Sequence, residues 1–197
     1  MSQTAQVEDL VLAYRILAAH GVVDAYGHVS VRTEGDPHRY LLARAMAPEL
    51  VTTVPLKPLF NTGAFIGEGI PTFEIRDFQQ SGDLIIKTPH LGASLAKVLG
   101  PKPAALMRGH GSVVVGESLM LAVVRSVYLE LSAKLQMQAM LIAGPNGKIV
   151  YLDENEVAAT SGRQASAGTW KRTWDLWCAK ARAQIASEQS AKRRRSR

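Results

Sequence analysis

Hydrophobic residues recur at helical spacing in four parts of the chain and alternate with polar ones in several shorter stretches. Over Val7–Val22, Leu10, Val11, Tyr14, Leu17 and Ala18 fall on one stripe, and Gly21 is placed to end the helix. Leu91–Leu99 reads as a short helix closed by Gly100-Pro101. Ser118 opens a long helix reaching about Ile142, with Leu121, Val124, Tyr128, Leu131, Leu135 and Gln138 roughly in register. A last helix is predicted from about Glu154 into the 180s.

Between these lie extended segments. In Tyr26–Arg32, Val29 and Val31 alternate with Ser30 and Arg32, the pattern of a half-buried strand. Gly35-Asp-Pro37 is a turn signal, so Tyr40–Ala43 is predicted to pair back as a hairpin. Pro48, Pro55, Pro58 and Pro71 divide 47–72 into short pieces that exclude a long helix. Asp83–Lys87, Ala104–Arg108, Ser112–Val115 and Ile149–Leu152 are further predicted strands. No internal repeat is visible. Strands interleaved with helices point to α/β or α+β layering.

Composition narrows the class. The chain has 197 residues, 47% of them hydrophobic and 20% charged, which suits one globular domain and excludes a disordered or fibrous chain. A single cysteine, Cys178, excludes an internal disulfide framework and an all-cysteine zinc site. The net charge is +6, but Lys192–Arg197 carries five of those charges, so the body stands near +1. The expected organisation is a single domain over 1–185 and a basic, disordered tail over 186–197. The longest uncharged stretch, about Leu135–Gly147, contains Gln136, Gln138, Pro145 and Asn146 and falls short of the roughly 20 apolar residues of a spanning helix. The first ten residues have neither a basic nor an apolar leader region, so the cytoplasm is the expected location.

The most informative local feature is Arg108-Gly-His-Gly111 at the end of an apolar strand. Glycines on both sides let the backbone bend and leave room beside the imidazole. His110 is therefore either a metal ligand or acid/base group, or simply a histidine in a tight turn. His28, in Gly27-His-Val-Ser30, enters a strand and is read the same two ways, functional or packed. His90 follows Thr88-Pro89 in the first turn of a helix, and His20 and His38 read as surface positions. There is no H-x-H, H-E-x-x-H or C-x-x-C, and no phosphate loop or nucleophile elbow. Cys178 beside Trp177 reads as a buried, inert thiol. Trp170, Trp174 and Trp177 make one helical stripe that reads as core or subunit interface. Lys192–Arg195 could bind nucleic acid or anionic lipid, against the plainer reading of a solvated tail.

Five segments together resemble the class II aldolase/adducin family, most nearly its branch of decarboxylase-like proteins acting on hydroxylated aromatic acids. They are Gly27–Arg32, Arg44–Glu49, Phe65–Asp77, Ala105–Gly116 and Ala122–Glu130. The resemblance implies an α/β fold: a three-layer α/β/α domain with a central, mainly antiparallel sheet. It implies a homo-oligomer, commonly a tetramer, acting on a small-molecule substrate, with no membrane or nucleic-acid partner. It also implies a divalent metal, zinc first and manganese or iron as alternatives, held by three histidines. Two of those come from an H-x-H pair and the third, matched here by His110, from the later G-H-G motif. His28 and Ser30 are then placed beside the substrate anion. The shared chemistry is stabilisation of a carbanion next to a carbonyl, which serves aldol cleavage and decarboxylation alike.

The chain departs from that pattern in its middle. Pro48–Val51 and Val54–Pro58 nearly abut, so the intervening strand and helix, with both histidines of the pair and an upstream glutamate, are missing. Asn61 stands where close relatives are expected to carry histidine. Glu68, Glu74 and Glu117 remain as carboxylates, none at the family's acid/base position. Three readings follow: a metal-dependent carbon–carbon lyase, impaired by lost ligands; a non-catalytic aldolase-like domain, as in the adducin head; and nucleic-acid association through Lys192–Arg197.

Overall fold

The structure, a computed structural model, describes residues 3–23, 27–33, 40–42, 56–79, 83–164 and 167–195. Helix α1 spans Gln3–Ala19, the strands β1 and β2 span Ser30–Arg32 and Tyr40–Leu42, and a 3₁₀ helix spans Asn61–Ile66. Then come β3 (Thr72–Phe73), a 3₁₀ turn (Ile75–Asp77), α2 (Pro89–Leu99), β4 (Ala104–Met107) and β5 (Gly111–Val114). Three helices complete the chain: α3 (Leu119–Ala143), α4 (Glu154–Gln164) and α5 (Ala167–Arg195).

The expected hairpin forms, with β1 antiparallel to β2 and Val31 opposite Leu41. A second sheet has the order β3-β4-β5, with β3–β4 parallel and β4–β5 antiparallel. Two of the three pairings are thus antiparallel, but among the described residues they belong to two small sheets instead of one. The central strand, Ala-Ala-Leu-Met, has no polar alternation because both its faces are covered. Ala104 and Leu106, with Val114, face a core built on Leu129 of α3 and on Ile66 and Ile70. Met107, with Phe73 and Val113, faces the opposite core, against Leu91 and Leu95 of α2. Alternation along β4 and β5 therefore sets up the three layers: α2, sheet, α3.

A third core joins α1, α3 and α5 and buries Leu10, Ala13, Ile16, Val123, Val127 and Trp177. Trp170 and Trp177 are core residues here, and Trp170 Nε1 also donates to the Gln164 carbonyl at 2.9 Å, closing the end of α4. Cys178 is buried at 3% exposure, and burial pushes its thiol above the usual range, so it is inert as expected. Gly21, at φ +66°, ends α1.

Several expectations need correction. Val11 and Ala18 are exposed, and Leu12, Ala13 and Ile16 are buried instead, because α1 packs against both α3 and α5 and its buried face turns toward them. In α3, Leu131 and Gln138 are exposed, while Val123, Val127, Leu129, Ser132 and Gln136 go inside. One stripe cannot describe this helix: its first half serves the helical core and its second half the 3₁₀ segment. Asp83–Lys87 is not a strand. Its alternation does bring Leu84 and Ile86 onto the α2-side core, and an Asp83–Lys87 ion pair braces it, but its backbone joins no ladder. Ile149–Leu152 also forms no strand and is fixed by the Leu152 N–H on the Pro58 carbonyl at 3.0 Å. The last helix is two helices. The expected tail is helical as far as Arg195: Ala, Glu, Gln, Lys and Arg favour helix, and cations suit a helix C-terminus. Arg15 grips Glu188 of this segment through two bonds, 2.6 and 2.8 Å. His20 is exposed, as read from the sequence, and its ring also contacts that of Trp177, with centroids 4.6 Å apart. His38 lies outside the described residues.

One buried polar contact is tight enough to test. A Cβ on Gly63 would lie 2.5 Å from Ser132 Oγ but 3.6 Å from Ser132 Cβ. Ser132 is fully buried, and its hydroxyl has no hydrogen-bond partner among the described residues. Gly63→Ala is expected to destabilise by roughly 1–2 kcal/mol from overpacking. In a Ser132→Ala background the same change should be near neutral, giving a coupling of about 1 kcal/mol in a double-mutant cycle of urea unfolding.

His20 makes a pH prediction. Burial, and secondarily the Lys180 ammonium, hold its imidazole below the ordinary histidine value. The unfolded chain therefore takes up this proton first as pH falls. The His20 contribution is fully present above about pH 6.5 and is lost as pH drops through that value toward the lower folded one. Unfolding free energies at pH 7.5 and pH 5 should differ less in His20→Phe than in the parent.

Candidate functional site

The Gly109-His110-Gly111 turn joins β4 to β5 and is held by its backbone. The His110 N–H donates to the Met107 carbonyl at 2.9 Å, and the Arg108 N–H to Phe73 at 3.2 Å. Gly109 and Gly111 have φ of +66° and +131°, a region that side chains rarely enter. A Cβ on Gly109 would also lie 2.7 Å from Leu84 Cδ1, since the 83–87 segment covers the turn. The two glycines flanking His110 are thus required by conformation.

The His28 segment is positioned from α1. The Tyr14 hydroxyl accepts from the Val29 N–H at 2.9 Å and donates to the Val29 carbonyl at 3.2 Å. Val29 is buried, while His28 and Ser30 on either side of it are exposed. Gly27 lies so close to Val23 that no Cβ fits there. Both ends of this short segment are therefore pinned, and its polar residues face outward.

These two segments, more than eighty residues apart in sequence, are near enough for the charge of His28 to act on His110. His110 is half-buried, and its imidazole is held below the ordinary histidine value, first by burial and second by the charge of His28. His110 is consequently neutral at pH 7 and presents a lone pair. His90 is exposed in the first turn of α2 and does not join them.

Glu74 is the residue that sequence reasoning undervalued. Arg108 places Nε on one of its carboxylate oxygens and Nη2 on the other, the latter at 3.2 Å. Arg76 adds its Nη2 at 2.7 Å and its backbone N–H at 3.1 Å. Between two guanidinium groups the carboxyl is held far below the usual carboxylate range, with Arg76 the larger cause and Arg108 next. It stays ionised and is no general acid or base. The only sequence hint was charge: an acidic residue in Glu74-Ile-Arg and a basic one before Gly109. The Tyr14 clip left no hint, because it joins a helix side chain to a loop backbone fifteen positions away. Arg125 of α3 is partly desolvated and donates to the Val115 carbonyl at 2.8 Å beyond the end of β5.

With this layered fold and its histidine turn described, likeness to known proteins becomes informative. A profile of the class II aldolase and adducin N-terminal domain matches residues 40–137. Decarboxylase tropJ of Talaromyces stipitatus is 25% identical across 87% of this chain and 92% of its own length. Among solved structures, L-fuculose 1-phosphate aldolase from Glaciozyma antarctica superposes with a TM-score of 0.66 at 15% identity, over 92% of this chain and 90% of its own. An aldolase II superfamily protein from Pseudomonas syringae gives 0.70 at 14% identity, over 90% and 92%. The domain is an α/β aldolase-like fold. The chain belongs to the class II aldolase and adducin family, near its decarboxylase-like members. The tropJ alignment runs over 246 positions against 197 residues here, so at least 49 of its positions, 246 minus 197, have no counterpart in this chain.

The family is typically dependent on a divalent metal. A resident catalytic ion usually takes three protein ligands. Among the described residues no three His, Cys, Asp or Glu side chains converge in that way. The described donors are the two imidazoles, one short of such a set, and they do not fit a tightly held ion. The junction expected to have lost the H-x-H segment falls largely on 43–55, outside the described residues.

Gly109→Ala should destabilise by about 1–2 kcal/mol, since it combines left-handed backbone with a Leu84 clash. Adding Leu84→Ala should recover only the steric part. Denaturation midpoints of the two variants measure the split.

Proposed function

We propose that this protein is a class II aldolase-type carbon–carbon lyase, cleaving or decarboxylating a hydroxy or keto acid, with a hydroxy-aromatic acid favoured. The observation that carries this is a half-buried His110, presented by its glycine turn within reach of the charge of His28, on a scaffold of that family. The named decarboxylase relative favours decarboxylation over aldol cleavage. In this reading the exposed His28 and Ser30 bind the substrate anion, His28 through its ring N–H and Ser30 through its hydroxyl. His110, neutral at pH 7, is the expected metal ligand, with zinc first among the candidates and manganese or iron behind it. Because the described donors stop at two, no step is derived through the ion.

The protein is proposed to act as a homo-oligomer, a tetramer by family resemblance, on a small molecule in the cytoplasm, with neither a membrane nor a nucleic acid as partner. No helix among the described residues is long and apolar enough to cross a membrane. The proposed organisation remains one functional domain over 1–185, with the basic end playing no part in the chemistry.

A second reading has its own support. The two-donor count favours a non-catalytic aldolase-like domain, a scaffold that outlived its metal site.

Metal analysis separates the two. Purified wild type and His110→Ala are compared by plasma mass spectrometry after dialysis. The lyase reading expects near-stoichiometric metal in wild type, lost in the variant. Absence of metal from both would replace it with the non-catalytic reading.

A further inference from the structure

Glu74 and Arg108 sit on neighbouring parallel segments. Phe73 pairs with Met107 in the ladder, and the Arg108 N–H continues it onto the Phe73 carbonyl at 3.2 Å. Each residue is thus the first beyond its strand, and the side-chain fork spans the same gap that the backbone ladder has just left. Arg108 also begins the turn whose next residue but one is His110. The two arms on Glu74 are unequal in setting. The Arg108 side chain is 30% exposed and the Arg76 side chain 69%, with Glu74 itself at 21%.

We infer that Glu74 is a positioning residue for His110, extending the β3–β4 ladder by a guanidinium–carboxylate fork that fixes where the histidine turn leaves the sheet. The inference rests on the proposed role of His110 in the site. The physical reason is geometric. β3 contributes two residues to the sheet and its register with β4 holds two pairs, so on the β3 side the ladder ends just where the glycine-flanked turn begins. A planar fork that binds both carboxylate oxygens restrains orientation as well as distance, which a single bond or a lysine cannot do. The opposite side of the turn is held by the β4–β5 ladder, which pairs Met107 with Gly111, and by Leu84 packed against Gly109. Arg76, by contrast, bonds Glu74 from two residues away in the same 3₁₀ turn and ties it to nothing across the sheet.

The test needs neither substrate nor metal, so the lyase reading and this one fail separately. The metal-free full chain is prepared as wild type, Glu74→Gln, Arg76→Ala and Arg108→Lys. Imidazole signals of His110 are recorded by NMR, with hydrogen exchange at the His110 N–H and the unfolding midpoint of the whole protein. Glu74→Gln keeps an acceptor for the Arg76 N–H but loses the charged fork. It should move the His110 imidazole signals and speed exchange at that N–H by about tenfold, while N–H groups of α1 and α3 keep their protection. Arg108→Lys keeps the charge, loses the fork and should do the same; it answers the question if Glu74→Gln does not fold. Arg76→Ala should leave His110 unchanged. A midpoint shift in Glu74→Gln with His110 signals and exchange unaltered would reduce Glu74 to a cap of its own 3₁₀ turn. Equal movement of His110 in Arg76→Ala would overturn the inference too, since the exposed arm would then matter as much as the fork.

Discussion

Everything near the candidate site depends on one four-residue strand being covered on both faces. β4 has no polar position because α3 lies under Ala104 and Leu106 while α2 lies over Met107. A strand in that position cannot shift register by one residue without exchanging the side chains of two different cores. Its C-terminal end is therefore a fixed point, and the chain places Arg108, Gly109 and His110 there. The local conformation, two glycines at positive φ, is what turns a rigid strand end into a presented imidazole.

The second half of the site is built on different physics. His28 is carried by a short segment on the surface of the helical core. Its position comes from a tyrosine hydroxyl that both accepts from and donates to Val29. A hydroxyl can fill both roles at once, so one side chain satisfies the N–H and the C=O of a residue between two exposed polar neighbours. The electrostatic consequence of bringing the two segments together is felt at His110. Burial already disfavours its charge, and a second imidazole nearby disfavours it further. A half-buried histidine and an exposed one make an asymmetric pair, one set against the protein and the other open to solvent.

What the chain keeps and what it lacks are both informative about the family. The histidine turn, the layered sheet and α3 as far as residue 137 fall within the matched region. At least 49 positions of the tropJ alignment have no counterpart here, and the described residues gather into three separate cores. The described donors stop at two, and this is why metal content, more than fold, decides between catalyst and scaffold.

The sequence by itself determined most of the element order and the turn that carries His110. Helix stripes, the hairpin alternation around Val29 and the paired glycines are local signals, legible because periodicity and glycine conformation act over a few residues. The three-layer arrangement was legible only through family likeness. Tertiary structure alone decided which face of α1 and α3 is buried, since that depends on where α5 and the 3₁₀ segment happen to pack. It decided that Leu84 and Ile86 would enter a core without joining a sheet, because a strand needs a neighbour as well as a pattern. It also decided that Glu74 would grip Arg108, and that Tyr14 would hold Val29 and so set the place of His28. Those contacts join residues 34 and 15 positions apart, and no spacing rule reaches across a fold to find them.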